Sequence, residues 1–112
     1  MLTLDKLIDY GIDVKGPVNH FKEEENYLVL VENLVVTPKI EEMEFKINKK
    51  LFNAALVIAN RLYRAYSVLN LNKVSDVLDE IIKHLEVRDD IDYSFLLGEL
   101  DKYNNELIEL TK

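Results

Sequence analysis

Apolar positions between residues 40 and 69 follow a helical period. Intervals of three and four residues separate nine of them: Ile40, Met43, Ile47, Leu51, Ala54, Ile58, Leu62, Ala65 and Leu69. Such spacing places side chains along one face of an α-helix. It predicts a long central helix whose assignment is firm from Leu51 onward. Asn48, a weak helix former, is the point where this helix is expected to be interrupted.

Two further helices are predicted after the central one. The first is marked by apolar residues at helical spacing, Val74, Val77, Leu78, Ile81, Ile82 and Leu85, and the second by Tyr93, Leu96, Leu100, Tyr103, Leu107 and Leu110. Polar breaks at 70–72 and 88–92 separate the segments, and Asp92 or Ser94 can cap the last helix. Short connections favour antiparallel neighbours, so the C-terminal half is predicted to form an up-down-up three-helix bundle.

The N-terminal segment carries signals for short elements. Thr3 can cap a helix that Gly11 would end, because glycine tolerates the left-handed conformation that follows many helices. Pro17 suits the first position of a second helix. The dipeptide Thr37-Pro38 has the pattern of a cap followed by a first-turn proline.

Residues 19–36 permit two interpretations. A helix is favoured by apolar residues at helical spacing and by three consecutive glutamates near its start: Phe21, Leu28, Val31, Val35, Glu23, Glu24 and Glu25. Residues 27–31 and 34–36, however, are β-branched apolar runs of strand length, which could pair with the alternating Met43, Phe45 and Ile47.

The predicted fold is therefore mainly α, a single domain over residues 1–112 with four to five helices. The alternative is an α+β domain, in which a β-hairpin around residues 27–47 packs on a C-terminal three-helix unit. Both alternatives share the helices after Leu51.

Composition narrows the class of protein. Hydrophobic residues make up 48% and charged residues 31% of the 112 residues, which is typical of a folded globular domain. The absence of cysteine excludes thiolate metal sites and cysteine nucleophiles. No apolar run approaches the roughly 18 residues of a membrane span, and Asp5, Lys6 and Asp9 interrupt any signal-like segment. We expect a cytoplasmic protein without membrane association.

Charge is segregated along the chain. Residues 45–75 contain six basic residues and no acidic one, whereas residues 1–44 carry 10 acids and 4 bases and residues 76–112 carry 11 acids and 4 bases. The net charge is −7. One interpretation is that the acidic flanks neutralise the basic central helix within the molecule.

A second interpretation makes the central helix a recognition surface. Arg61, Tyr63, Arg64 and Tyr66 would then form an interaction patch, because arginine and tyrosine are enriched at binding hot spots. The helix is also apolar in most directions around its axis, so it must be covered by the rest of the chain, by a second copy or by another protein. The partner would be a protein or a homodimer mate.

The sequence offers little that indicates chemistry. His20 and His84 are interpreted as structural, since neither has a second histidine at metal-ligand spacing, and no Gly-x-Ser-x-Gly or glycine-rich phosphate loop occurs. Acidic clusters at 23–25, 41–44 and 76–80 could place paired carboxylates on helix faces that share a divalent metal. No catalytic, cofactor-binding or metal-ligating residue is predicted from these patterns.

Three functional hypotheses follow. The first is a small acidic, non-enzymatic interaction module, such as an adaptor, an inhibitor or an immunity or antitoxin-like factor. The second is a divalent-metal-dependent helical hydrolase that uses the acidic faces. The third is a dimeric nucleic-acid-binding protein that uses the basic residues of the central region, Lys46, Lys49, Lys50, Arg61 and Arg64. It is disfavoured because an acidic protein repels a phosphate backbone.

Overall fold

The computed structural model describes all 112 residues and contains helices but no strand. The seven helices are α1 (Leu4–Tyr10), α2 (Lys15–Phe21), α3 (Glu24–Val36), α4 (Ile40–Asn48), α5 (Phe52–Val68), α6 (Asn72–Glu86) and α7 (Ser94–Leu110). The mainly α prediction is confirmed. The β-hairpin alternative is wrong, because residues 27–47 lie in α3 and α4, where Tyr27, Val31 and Val35 are buried at helical spacing.

The helix count exceeds the predicted four to five because several helix ends carry no glycine. Left-handed residues, Gly11, Lys50, Asn70 and Arg88, follow α1, α4, α5 and α6. At each, the two backbone N–H groups after the helix bond back to its last turn, for example Lys50 to Ile47 and Leu51 to Lys46. This is the Schellman arrangement, which satisfies carbonyls that a helix end would leave free. It splits the predicted central helix into α4 and α5 just after Asn48.

Two local predictions for the N-terminal half need correction. Thr3 caps α1 as expected, accepting a hydrogen bond from the Lys6 N–H at 3.3 Å, and Gly11 ends it with φ 107°. Pro17, however, is the third residue of α2 rather than the first. Thr37 does not start α4, because its hydroxyl donates to the Asn33 carbonyl at 2.8 Å and so closes α3.

Helices α5, α6 and α7 form the predicted up-down-up unit. Just after α6, the Arg88 guanidinium donates to Asn53 Oδ1 at 2.9 Å near the start of α5, so these two helices are antiparallel. Lys73 at the start of α6 lies 5.9 Å from the Tyr103 ring centroid in the second half of α7, so α6 and α7 are antiparallel as well. Before α7, Asp92 accepts a hydrogen bond from the Ser94 N–H at 2.9 Å, but Tyr93 is the N-cap residue and no side chain caps the helix, so neither Asp92 nor Ser94 takes the predicted position.

Buried polar groups fix α3 against this unit. The Tyr66 hydroxyl in α5 donates to Asn104 Oδ1 in α7 at 2.6 Å, and the Asn104 amide donates to the Val35 carbonyl in α3 at 3.0 Å. The Tyr27 hydroxyl donates to the Leu69 carbonyl at 2.8 Å. Because buried polar groups are costly when unpaired, these bonds specify how α3, α5 and α7 are placed around one core of 26 apolar residues.

Candidate interaction surface

Helix α5 buries one face and exposes the opposite one. Its inner face, Ala55, Ala59, Leu62 and Tyr66, belongs to the core. On the other side, at spacings of four, three and four residues, lie Val57, Arg61, Arg64 and Val68, which we call the α5 outer face. The two valines are 52% and 51% exposed. The central helix is therefore not covered all round by its own chain.

The packing of the neighbouring helices explains why this face stays open. Helices α4 and α6 make the principal contacts of α5, and α7 reaches it from the inner side through Asn104 and Tyr66. The exposure of Val57 and Val68 shows that no other helix covers the outer side. An apolar stripe that remains after a domain has folded is a candidate binding surface.

The predicted tyrosine part of the patch is not on this surface. Tyr66 is fully buried, and Tyr63 is half-buried against the core. The physical reason is the helical period, since residues two apart do not share a face and Tyr66 follows Arg64 by two. Burial raises the pKa of the Tyr66 hydroxyl above its usual value. The structure brings Arg61 and Arg64 together and places Tyr66 in the core.

The two arginines have no ionic partner within the molecule. Of the six basic residues in 45–75, Lys50 alone forms an ion pair with an acid, at 3.1 Å to Asp90 on the α6–α7 connection. Three other lysines lie near aromatic rings: Lys46 and Lys49 by Phe45, and Lys73 by Tyr10 and Tyr103. Direct pairing with the acidic flanks therefore does not neutralise Arg61 or Arg64, and both guanidinium groups face solvent.

The acidic clusters remain apart. Residues 23–25 precede or begin α3, 41–44 lie in α4 and 76–80 lie in α6, and no group of three or more His, Asp or Glu side chains is placed to hold a metal ion. His84 has a local contact, with its Nδ1 2.9 Å from Asp89 Oδ2 and its ring edge-on to Tyr93. His20 is exposed on α2.

One pair of carboxyl groups was not predicted from the sequence. Glu44 on α4 has a buried Oε1 that accepts no hydrogen bond from any N–H or hydroxyl group, and its carboxyl group lies within hydrogen-bonding reach of the Asp101 carboxyl on α7. Burial, followed by the nearby Asp101 carboxyl, raises the pKa of Glu44 to about 7. Two ionised carboxylates can only accept, so a hydrogen bond between them requires a proton on one. The pairing of α4 with α7 through this contact has no signal in the local sequence.

Cavities are small or open. A partly enclosed cavity of about 150 Å³ lies between the α1–α2 and α5–α6 connections, where the Asn70 amide donates to the Asp13 carbonyl at 2.8 Å. Its volume is below the roughly 300–1,000 Å³ of typical ligand pockets. None of the helices combines the length and the apolar character needed to cross a membrane.

No family model matches this chain, and neither a curated protein nor a solved structure does. Function is therefore inferred from the surface itself. The α5 outer face differs from an ordinary solvated helix face because it combines exposed valines with arginines that form no ion pair.

Proposed function

We propose that this chain is a small, non-enzymatic protein-interaction module that binds a protein partner through the α5 outer face. The observation that carries the proposal is the combination of two half-exposed valines with two arginines that lack any partner in the fold. A solvated face would be expected to carry mixed charges in place of the valines. Adaptor, inhibitor, immunity and antitoxin-like roles are all ways of using such a surface.

The composition of the α5 outer face indicates which chemical groups its partner should present. Covering Val57 and Val68 would remove apolar area from water, at roughly 25 cal/mol per Å². Arg61 and Arg64 would gain carboxylate partners, and arginine does this well because its planar guanidinium donates in pairs. The expected partner therefore presents an apolar stripe with acidic residues beside it.

Affinity capture tests the proposal. A tagged chain is recovered from its native cells, which also express the untagged chain, with and without nuclease, and compared with an Arg61→Ala, Arg64→Ala variant. The control is Lys15→Ala, Lys102→Ala, which removes two exposed positive charges elsewhere.

A stoichiometric protein that survives nuclease, persists with the control and is lost with the arginine variant is the expected result. Equal recovery with both variants would refute the proposal. Loss of all partners on nuclease treatment would favour the nucleic-acid hypothesis instead.

A further inference from the structure

An open hollow lies at the N-terminal end of the α5 outer face. Its volume is about 420 Å³, and we call it the α5 hollow; its lining residues are Lys50, Leu51, Phe52, Asn53, Ala54 and Arg88. Leu51 supplies apolar surface and is 48% exposed. Ala54 is also exposed and precedes Val57 by three residues, so the two lie on the same side of the helix. The α5 hollow is therefore continuous with the α5 outer face.

The α5 hollow shares the positive charge of the α5 outer face. No acid lines it, and its exposed Arg88 forms no ion pair. The Arg88 guanidinium donates to Asn53 Oδ1 at 2.9 Å, which holds it beside α5 and leaves most of its donors free. Lys50, the other cation, is paired with Asp90 at 3.1 Å. Arg88 is thus a third arginine without a carboxylate partner, next to the surface that carries Arg61 and Arg64.

The shape of this surface suits a helix. From Ala54 to Val68 it runs along about four turns of α5, a rise of about 21 Å. The molecule has no strand, so it offers no sheet edge to which an extended peptide could add. A helix satisfies its own backbone hydrogen bonds and brings only side chains to a surface. It can pack along α5 with ridges in grooves, as helices do in domain cores.

We infer that the partner of the α5 outer face contributes an acidic amphipathic helix, one apolar side chain of which fills the α5 hollow. Leu51 and Ala54 contact that side chain, and Arg88 binds a carboxylate beside it. This inference rests on the proposed function, since it describes the partner of the same surface. It goes further by adding Leu51 and Arg88 to the surface and by naming the element that binds there.

The combination of charge and apolar area favours an acidic helix over a nucleic acid. A phosphate backbone could pair with the three arginines, but it has no apolar surface to cover Leu51 and the two valines of the α5 outer face. The net charge of −7 also repels a polyanion as a whole. An acidic amphipathic helix offers carboxylates and apolar side chains side by side, at the spacing of a helix face.

Two synthetic peptides serve as probes. The first is an amphipathic helix of about 18 residues, long enough to span the surface, with leucines at helical spacing and glutamates on both flanks of the leucine stripe. The second has glutamine in place of every glutamate. Fluorescence anisotropy of the labelled peptides measures their affinity for the full chain at low and high salt. Amide shifts of the nitrogen-15-labelled chain show where the peptide binds.

We expect the glutamate peptide to bind more tightly than the glutamine peptide, and its affinity to fall as salt rises. Arg88→Ala should weaken its binding about threefold, the effect of an exposed ion pair. Leu51→Ala should weaken it about tenfold through lost apolar contact. The control Lys15→Ala, Lys102→Ala should bind normally, and circular dichroism checks that each variant keeps its helices.

Several results would overturn the inference. They are failure of the glutamate peptide to bind, equal binding of both peptides, amide shifts confined to another part of the chain, and unchanged affinity of both hollow variants. Dimerisation of the chain that Leu51→Ala and Arg88→Ala abolish would also overturn it, because a second copy would then fill the α5 hollow.

Affinity capture distinguishes this failure from failure of the proposed function. If the captured protein needs Arg61 and Arg64 but is indifferent to Leu51→Ala and Arg88→Ala, the proposed function stands without the inference. If none of these substitutions affects the captured protein or the peptide, both fail.

Discussion

Helices α5 and α6 are adjacent and similar in length, yet the sides that they expose to solvent differ in composition. Helix α6 buries seven residues, and its exposed side is mostly polar, with an ion pair at 3.1 Å between Asp79 and Lys83. Helix α5 buries four residues and exposes the valines and lone arginines of its outer face. The exposed side chains of α6 are therefore mostly hydrated or paired, and this side needs no partner. On α5, by contrast, nothing covers the two valines and no acid pairs with the two arginines. We therefore infer that this surface binds a partner.

The largest expected loss of folding stability comes from a substitution on the buried side of α6. Leu78 is fully buried, so Leu78→Ala should lower the free energy of unfolding by about 2–5 kcal/mol through lost burial and the cavity left behind. Urea denaturation followed by circular dichroism measures the change. A loss below about 1 kcal/mol would contradict the burial of Leu78, and with it the contrast between α6 and α5.

Tyr66→Phe separates the inner face of α5 from its outer face. The substitution keeps the ring but leaves Asn104 Oδ1 without its donor, which should cost about 1–2 kcal/mol of folding stability. Association with the partner, measured per folded molecule, should be unchanged. If association is lost while stability is retained, Tyr66 would belong to the interaction patch after all.

The Glu44–Asp101 contact predicts a pH dependence of stability. The pKa of Glu44 is raised from 4.5 to about 7 in the folded chain, so its contribution to stability is complete below about pH 4.5 and is lost as the pH rises through 7. Since Glu44 is only partly buried, solvent screening reduces the effect to about 1 kcal/mol.

Glu44→Gln removes this titrating group. The variant should gain stability relative to the unaltered chain at pH 8 but not at pH 4.5, as measured by urea unfolding at both values. Glu42→Gln, an exposed change on the same helix, is the control and should show no such difference. A gain for Glu44→Gln that is equal at both pH values would contradict the assigned proton.

The smallest effect on folding is expected on the α5 outer face. Val57→Ala and Val68→Ala should each change the free energy of unfolding of the monomer by less than about 0.5 kcal/mol, because both side chains are already half-exposed. The same substitutions should weaken association with the partner, measured by its recovery in affinity capture. Unchanged association in the double variant would remove the apolar part of the proposed contact.

The C-terminal half of the fold was predictable because its signal is local. The apolar period identified α5, α6 and α7, and the short breaks around Asn70 and Arg88 gave their antiparallel order. The helix count was not predictable in the same way. Lys50 takes a left-handed conformation that lysine rarely adopts, so the sequence carries no glycine to mark the end of α4.

Only part of the candidate interaction surface could be predicted from the sequence, because burial depends on residues that are distant in the chain. The charge pattern identified Arg61 and Arg64, but which side of α5 is buried depends on Asn104 and on helices far away in the chain. Tyrosine spacing alone could not show that Tyr66 points into the core.

The central claim, that the α5 outer face is covered by a partner, can be measured by thiol labelling. The chain has no cysteine, so Val57→Cys introduces a unique thiol on the α5 outer face and Asp76→Cys introduces one on the exposed side of α6. Maleimide labelling rates of both variants are compared in intact native cells and in dilute purified protein. The account predicts that the thiol at position 57 is protected in cells relative to the thiol at position 76, and that both react freely when dilute. Equal relative rates in the two conditions would contradict it.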